Sequence, residues 1–249
     1  MKGVFMNKIF LSIMTTITLA LGIFIPGNAE TDLTEINLSP VESYKIEIGN
    51  YSAEISIPEI NGMLDTAEQS QINQAFSDHA AENLTPFIED AKSIHAEYPT
   101  DGPHFLWEYK YETLYENADY LVFRMAEFTV AGSSNSSAQY FTLDKNSRSL
   151  VTLDQFYAGN QNYMTELRTY IEEEMREANQ TGEMQYWVDE APGETDAKTA
   201  MDQVFNSLED NRQYYLNQDG QILIAFNKYD VGPGAMGTPE FVIPEDIGK

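Results

Sequence analysis

Three histidines, forty carboxylates and no cysteine bound the chemistry open to this 249-residue chain. Without Cys there is no thiol nucleophile, thiolate metal site, disulfide or lipid attachment through an N-terminal Cys. His79, His95 and His104 do not form the His-x-x-x-His spacing that sets two imidazoles on one helical face for zinc. His79 and Glu82 would share a helical face, but that pair alone does not complete a metal site. No Gly-x-Ser-x-Gly or Ser-x-x-Lys sequence prepares a serine nucleophile, and Ser133, Ser134, Ser136 and Ser137 read as a flexible loop. Glu172-Glu173-Glu174 and Asp189-Glu190 supply carboxylates for glycoside chemistry only if two converge on one cleft; at this density they read as solvated faces. Asp144-Lys145-Asn146-Ser147-Arg148 lacks the central glycine and distal Glu of a calcium loop. Walker-type and dinucleotide-binding glycine patterns are absent. The expectation is a non-catalytic chain with no metal and no cofactor.

Two segments remain that suit binding. Phe105, Trp107, Tyr109, Tyr111 and Tyr115 alternate along one strand, as a sugar-stacking platform or, the favoured reading, as a face packed by helices. The second runs from Tyr229 to Glu240, with three glycines and two prolines between apolar strands. Its one charge before Glu240 is Asp230. A stiff, nearly neutral loop loses little entropy on docking and carries no like charge into an acidic cleft. Tyr229, Gly232, Pro233, Gly234, Ala235, Met236 and Gly237 are therefore the candidate partner-binding residues; a rigid crossover is the alternative.

Charge narrows the partners. The chain has 14 Lys+Arg against 40 Asp+Glu, net −26. The first 29 residues hold two lysines and no acid, so residues 30–249 carry −28. Such a field repels nucleic acid and anionic lipid and speeds encounter with a cationic partner; adaptation to salt or solubility explains it equally well. Lys2 and Lys8 precede an apolar run from Ile9 to Ile25, then Pro26 and the small residues Gly27 and Ala29. This reads as a cleaved export signal over residues 1–29, with an uncleaved membrane anchor as the alternative. The expected location is secreted, periplasmic or at the cell surface, with membrane contact only through that segment if it is uncleaved.

The elements that must position the loop follow from periodicity. Residues 30–42 read as a linker. Two period-two runs flank Gly49-Asn50, and helical spacing runs from Leu64 to Ile94, with Pro86 expected to kink or restart it behind Thr85. Strands follow at Phe105–Tyr115 and Tyr120–Ala131, then short strands at Gln139–Leu143 and Leu150–Leu153. Helices from Tyr163 and Asp196 precede a hairpin at 214–226 and a last strand at 240–243. The sum is α+β: a mainly antiparallel sheet packed by about three helices, divided into regions 43–140 and 141–249.

The residues from Tyr214 through Gly220, Ile222 to Phe226, Tyr229-Asp230-Val231-Gly232-Pro233-Gly234-Ala235-Met236-Gly237 and Glu240 to Pro244 closely resemble the end of the extracellular domain of RsiV-type anti-sigma-V factors. Leu150 to Phe156 is similar to that family's entry into its second helix. The resemblance is strongest from about 150 to 245 and looser from 43 to 140, where the module is also that of PdaC-type peptidoglycan deacetylases. It implies helices on an antiparallel sheet and, for RsiV-type members, binding of lysozyme with loops entering its substrate cleft. Only eight residues precede the apolar run, so control of a sigma factor is not expected. Nor is deacetylation, because that domain's acid and histidine motifs are absent. The functional expectation is a stand-alone envelope binding protein that captures a lysozyme-like muramidase. A peptidoglycan or glycan-binding module is the alternative, and a carboxylate-based hydrolase a third.

Overall fold

The computed structural model describes residues 35–182, 184–189 and 197–248. The expected export signal lies outside them. Six strands, β1 (Asn37–Ile48), β2 (Tyr51–Asn61), β3 (Phe105–Glu116), β4 (Tyr120–Ala131), β5 (Ser133–Asp144) and β6 (Ser149–Leu150), form one sheet in sequential order. All neighbours are antiparallel except β2 and β3. That parallel pair needs a long crossover, which helix α1 (Thr66–Glu97) supplies. Gly49 turns β1 into β2 with φ +57°, in a turn of two residues between the paired Ile48 and Tyr51.

Three local expectations change. Residues 37–42 belong to β1 and not to a linker; β1 is the sheet edge, where Pro40 is tolerated beside a bulge. The Ser133–Ser137 segment is strand and not loop. Its small polar residues carry no strand pattern of their own, and pairing with β4, Ser136 opposite Phe128 and Ser137 opposite Glu127, imposes the conformation. Helix α1 runs through Pro86 without restarting. Proline removes the hydrogen bond to the Glu82 carbonyl, but both residues lie on the exposed face, where water replaces it, while buried Ala80, Phe87 and Ala91 hold the inner face. The true cap is Asp65, whose carboxylate accepts from Ala67 and Glu68 N–H at 3.0 and 2.9 Å.

One face of this sheet and α1 enclose the first core, centred on Phe76, Phe123 and Phe141. Trp107 and Tyr109 are buried there too, so the aromatic strand packs beneath α1 as the packing reading expects. A single helical turn α2 (Leu153–Phe156), then α3 (Tyr163–Thr181) and α4 (Ala197–Ser207), pack with a three-stranded antiparallel sheet of β7 (Tyr214–Leu216), β8 (Ile222–Ala225) and β9 (Glu240–Val242). Asp196, expected to open α4, lies outside the described residues.

The two sheets meet along β5 and β7. Tyr140 and Tyr215 stack at 4.6 Å and 8°, Tyr140 N–H donates to the Arg212 carbonyl at 2.8 Å, and Val122, Leu223 and Ala225 complete the junction. The division expected between residues 140 and 141 falls inside β5. The architecture is α+β with a mainly antiparallel sheet and four helices among the described residues.

Candidate functional site

The loop after β8 is tied down before it reaches its tip. The Asn227 side-chain carbonyl accepts from Ala138 N–H at 2.8 Å, and Lys228 N–H donates to the Ser136 carbonyl at 3.2 Å. The Lys228 ammonium donates to the Ser134 carbonyl and hydroxyl at 2.6 and 2.9 Å. The glycine-rich loop therefore sits against the serine-rich start of β5, a juxtaposition that sequence spacing of almost a hundred residues does not announce.

Asp230, the one charge in the loop, turns inward. Its carboxylate accepts from Asn227 N–H at 2.8 Å and from the side-chain amide of buried Gln213 at 2.7 Å. Burial pushes its pKa up, against these two donors. Replacing Asp230 with Leu leaves both donors unpaired and is expected to cost about 2 kcal/mol, whereas Asn, which still accepts, costs well under half of that; urea unfolding of the two variants checks the contrast.

Beyond Asp230, Val231 is fully buried and its carbonyl accepts from Trp187 N–H at 2.9 Å. Gly232 is buried beneath the Met236 sulfur and forms the inner wall of the loop instead of its surface. Pro233 leads into a 3-10 turn, Gly234–Met236, closed by Met236 N–H on the Pro233 carbonyl at 2.9 Å. Gly237 leaves it at φ +70°, which favours glycine. Tyr229 takes φ +75° and lays its ring on Gly234, where a Cβ would come within 2.3 Å of the ring. The glycine is thus what lets the tyrosine lie flat. Tyr229 remains 47% exposed, with the Lys228 ammonium 5.2 Å from its ring centroid.

The resulting tip presents Tyr229, Pro233, Ala235 and Met236 with no carboxylate among them. Tyr229, Pro233, Gly234, Ala235, Met236 and Gly237 stand together at this tip, with Gly232 behind them. Lys228 and Ser134, which brace the tip, were not anticipated. The one signal for Lys228 is a base standing beside the loop in so acidic a chain.

The expected acidic faces behave differently. Glu172 is not simply solvated: it bridges Arg168 at 2.7 Å and Arg176 at 3.1 Å, and Asp189 pairs with Arg176 at 3.0 Å. Among the described residues no three His, Asp or Glu side chains gather to hold a metal ion. His79 faces Glu127 of β4, at 3.5 Å, too long for a hydrogen bond and close enough for charge attraction. It lines a cavity of about 340 Å3 between α1 and β3–β5, with Tyr109, Met125 and Gln139. Glu127 accepts from the Trp107 indole N–H at 2.8 Å.

Glu127 holds the His79 imidazole above its usual range, against burial, and His79 holds Glu127 below the usual carboxylate range. A raised histidine pKa stabilises the fold fully below the ordinary value of 6.5, and this is lost as pH rises through the higher folded value. Unfolding free energy is therefore expected to fall across that window, and His79→Gln to flatten the fall. Urea titrations at unit intervals from roughly pH 5.5 to 8.5 test it.

Residues 154–246 match the family described as Protein of unknown function (DUF3298), the segment that holds α3, α4 and the loop. Over 207 residues, 82% of this chain, the sequence is 24% identical to Anti-sigma-V factor RsiV of Bacillus subtilis (strain 168). The match spans 66% of that protein, just under two thirds of its length. The crystal structure of a DUF3298 family member from Bacteroides fragilis NCTC 9343 superposes with a TM-score of 0.52 at 16% identity, over 85% of this chain and 91% of that one. A DUF3298 family protein from Pseudomonas aeruginosa PAO1 gives 0.49 at 10% identity, over 85% and 92%. The Bacteroides likeness shows the α+β fold, and the sequence match coincides with the region of strongest resemblance to the RsiV-type module. Residues 154–246 thus match the DUF3298 family, and the chain is similar over most of its length to an RsiV-type protein.

Proposed function

We propose that this chain is an exported, non-catalytic binding module of the cell envelope, and that its Tyr229–Gly237 loop enters the substrate cleft of a lysozyme-like muramidase. The observation that carries the reading is the braced tip, free of carboxylates, on a molecule with forty acids. A muramidase cleft holds two catalytic carboxylates. A tip bearing Asp or Glu would be repelled there, and here the loop's one Asp is directed into the protein. Proline and the Lys228–Ser134 bonds fix the tip before contact, which limits the entropy lost on binding. The surrounding negative field draws in a cationic enzyme over distances comparable to the Debye length. Likeness to an anti-sigma factor whose family resemblance implies lysozyme recognition supports the same partner.

Association with a cationic lysozyme, followed by stopped flow from low to high salt, tests the reading. The association rate is expected to fall at least about tenfold between low and physiological ionic strength, with dissociation little changed. Absence of binding at low salt would remove the muramidase. Salt-independent binding of a neutral cell-wall glycan instead would replace it with glycan recognition.

A further inference from the structure

A second cavity, of about 300 Å3, opens on the seam between α1 and the first sheet, with Glu127 common to it and to the His79 cavity. Four aromatic rings wall it. Tyr51 and Phe105 stack at 5.6 Å and 22°; Phe87 leans on both at 5.9 and 5.7 Å and on Trp107 at 5.9 Å. Two carboxylates complete it, Asp90 exposed at the rim and Glu127 on the wall, and no Lys or Arg is among its lining residues. The Trp107 N–H is spent on Glu127, so the polar edge of the indole is satisfied within the protein.

We propose that this cavity binds an organic ammonium ion, a primary or quaternary amine on a short apolar body. Aromatic faces present negative charge to a cation, and the effect grows as the cation is desolvated among several rings. Asp90 adds Coulomb attraction of the same sign; Glu127, already shared with His79 and the Trp107 N–H, adds less. Trp107 is buried, so the open ring surface is that of half-buried Tyr51 and Phe105 beside exposed Asp90, a placement that favours a small cation over a neutral sugar. The volume lies at the lower end for small-molecule sites, which suits a ligand the size of choline. The site rests on the α1 seam and shares no residue with the Tyr229–Gly237 loop, so it stands or falls apart from muramidase capture.

The test uses the exported chain with Trp187→Phe, leaving Trp107 as the fluorophore of the two tryptophans. Titration with choline is expected to give saturable quenching, at least about tenfold tighter than with 3,3-dimethylbutan-1-ol, its neutral isostere. Asp90→Asn, at an exposed position, should keep the thermal midpoint and weaken choline about threefold or more. Phe105→Leu should weaken choline without improving the neutral isostere. Equal affinity for choline and the neutral alcohol would overturn the proposal. So would no saturation by choline, or quenching by chitotriose in its place.

Discussion

Replacing Pro233 and Met236 together with Asp is expected to weaken muramidase binding at least about 100-fold while shifting the thermal midpoint by no more than a few degrees. Both effects have separate causes. The two side chains belong to a tip fastened from outside itself, by Asp230 to Gln213, by Val231 to Trp187 and by Lys228 to Ser134. Those anchors survive the substitutions, and neither side chain is fully buried. In the cleft, two new carboxylates would face the enzyme's own pair with little water between them. Met236 also supplies deformable apolar contact that Asp cannot replace. Calorimetric titration against a cationic lysozyme, with a melting curve for each protein, reads both quantities. A variant that melts like the parent and still binds at full strength would show that the tip is not the contact.

Phe123→Ala is expected to cost about 3–5 kcal/mol, a large share of the stability of a domain this size. Phe123 is fully buried, stacks on Phe141 at 4.8 Å and 10°, and meets the edge of Phe76 from α1 at 6.3 Å. Truncation opens a cavity where helix and sheet meet, and neither a stacked ring nor a long helix can collapse into it. Leu64→Ala makes the complementary control: Leu64 is 66% exposed, and its loss should stay within about 0.5 kcal/mol. Urea midpoints of the two variants test the contrast, and equal values would contradict the assignment of the core.

Much of this fold was legible because period and punctuation agree. The alternation at Phe105–Tyr115, the apolar run at Tyr120–Ala131, and the Asn217–Gly220 turn inside the last hairpin each appear where their residue types place them. The misread segments are those whose conformation is decided from a distance. Ser133–Ser137 is a strand because β4 lies beside it, and residues 37–42 are a strand because β2 does. Pro86 looked like a break because local chemistry argues for one; an inner face carrying Phe87 and Ala91 overrides it.

The candidate loop was visible as composition, stiff and uncharged in an acidic chain. That Asp230 points inward was not, because only the fold brings Gln213 to it. Nor could the sequence place four rings and two carboxylates around one cavity, since they come from α1, β2, β3 and β4.

The most direct test of cleft entry is competition. A cationic lysozyme is titrated with this protein by calorimetry, free and then with its cleft saturated by tri-N-acetylchitotriose. If the Tyr229–Gly237 loop occupies the cleft, apparent affinity falls in proportion to the chitotriose concentration over its own dissociation constant, and the curves fit simple competition. Unchanged affinity at saturating chitotriose would mean that the loop binds elsewhere on the enzyme or not at all.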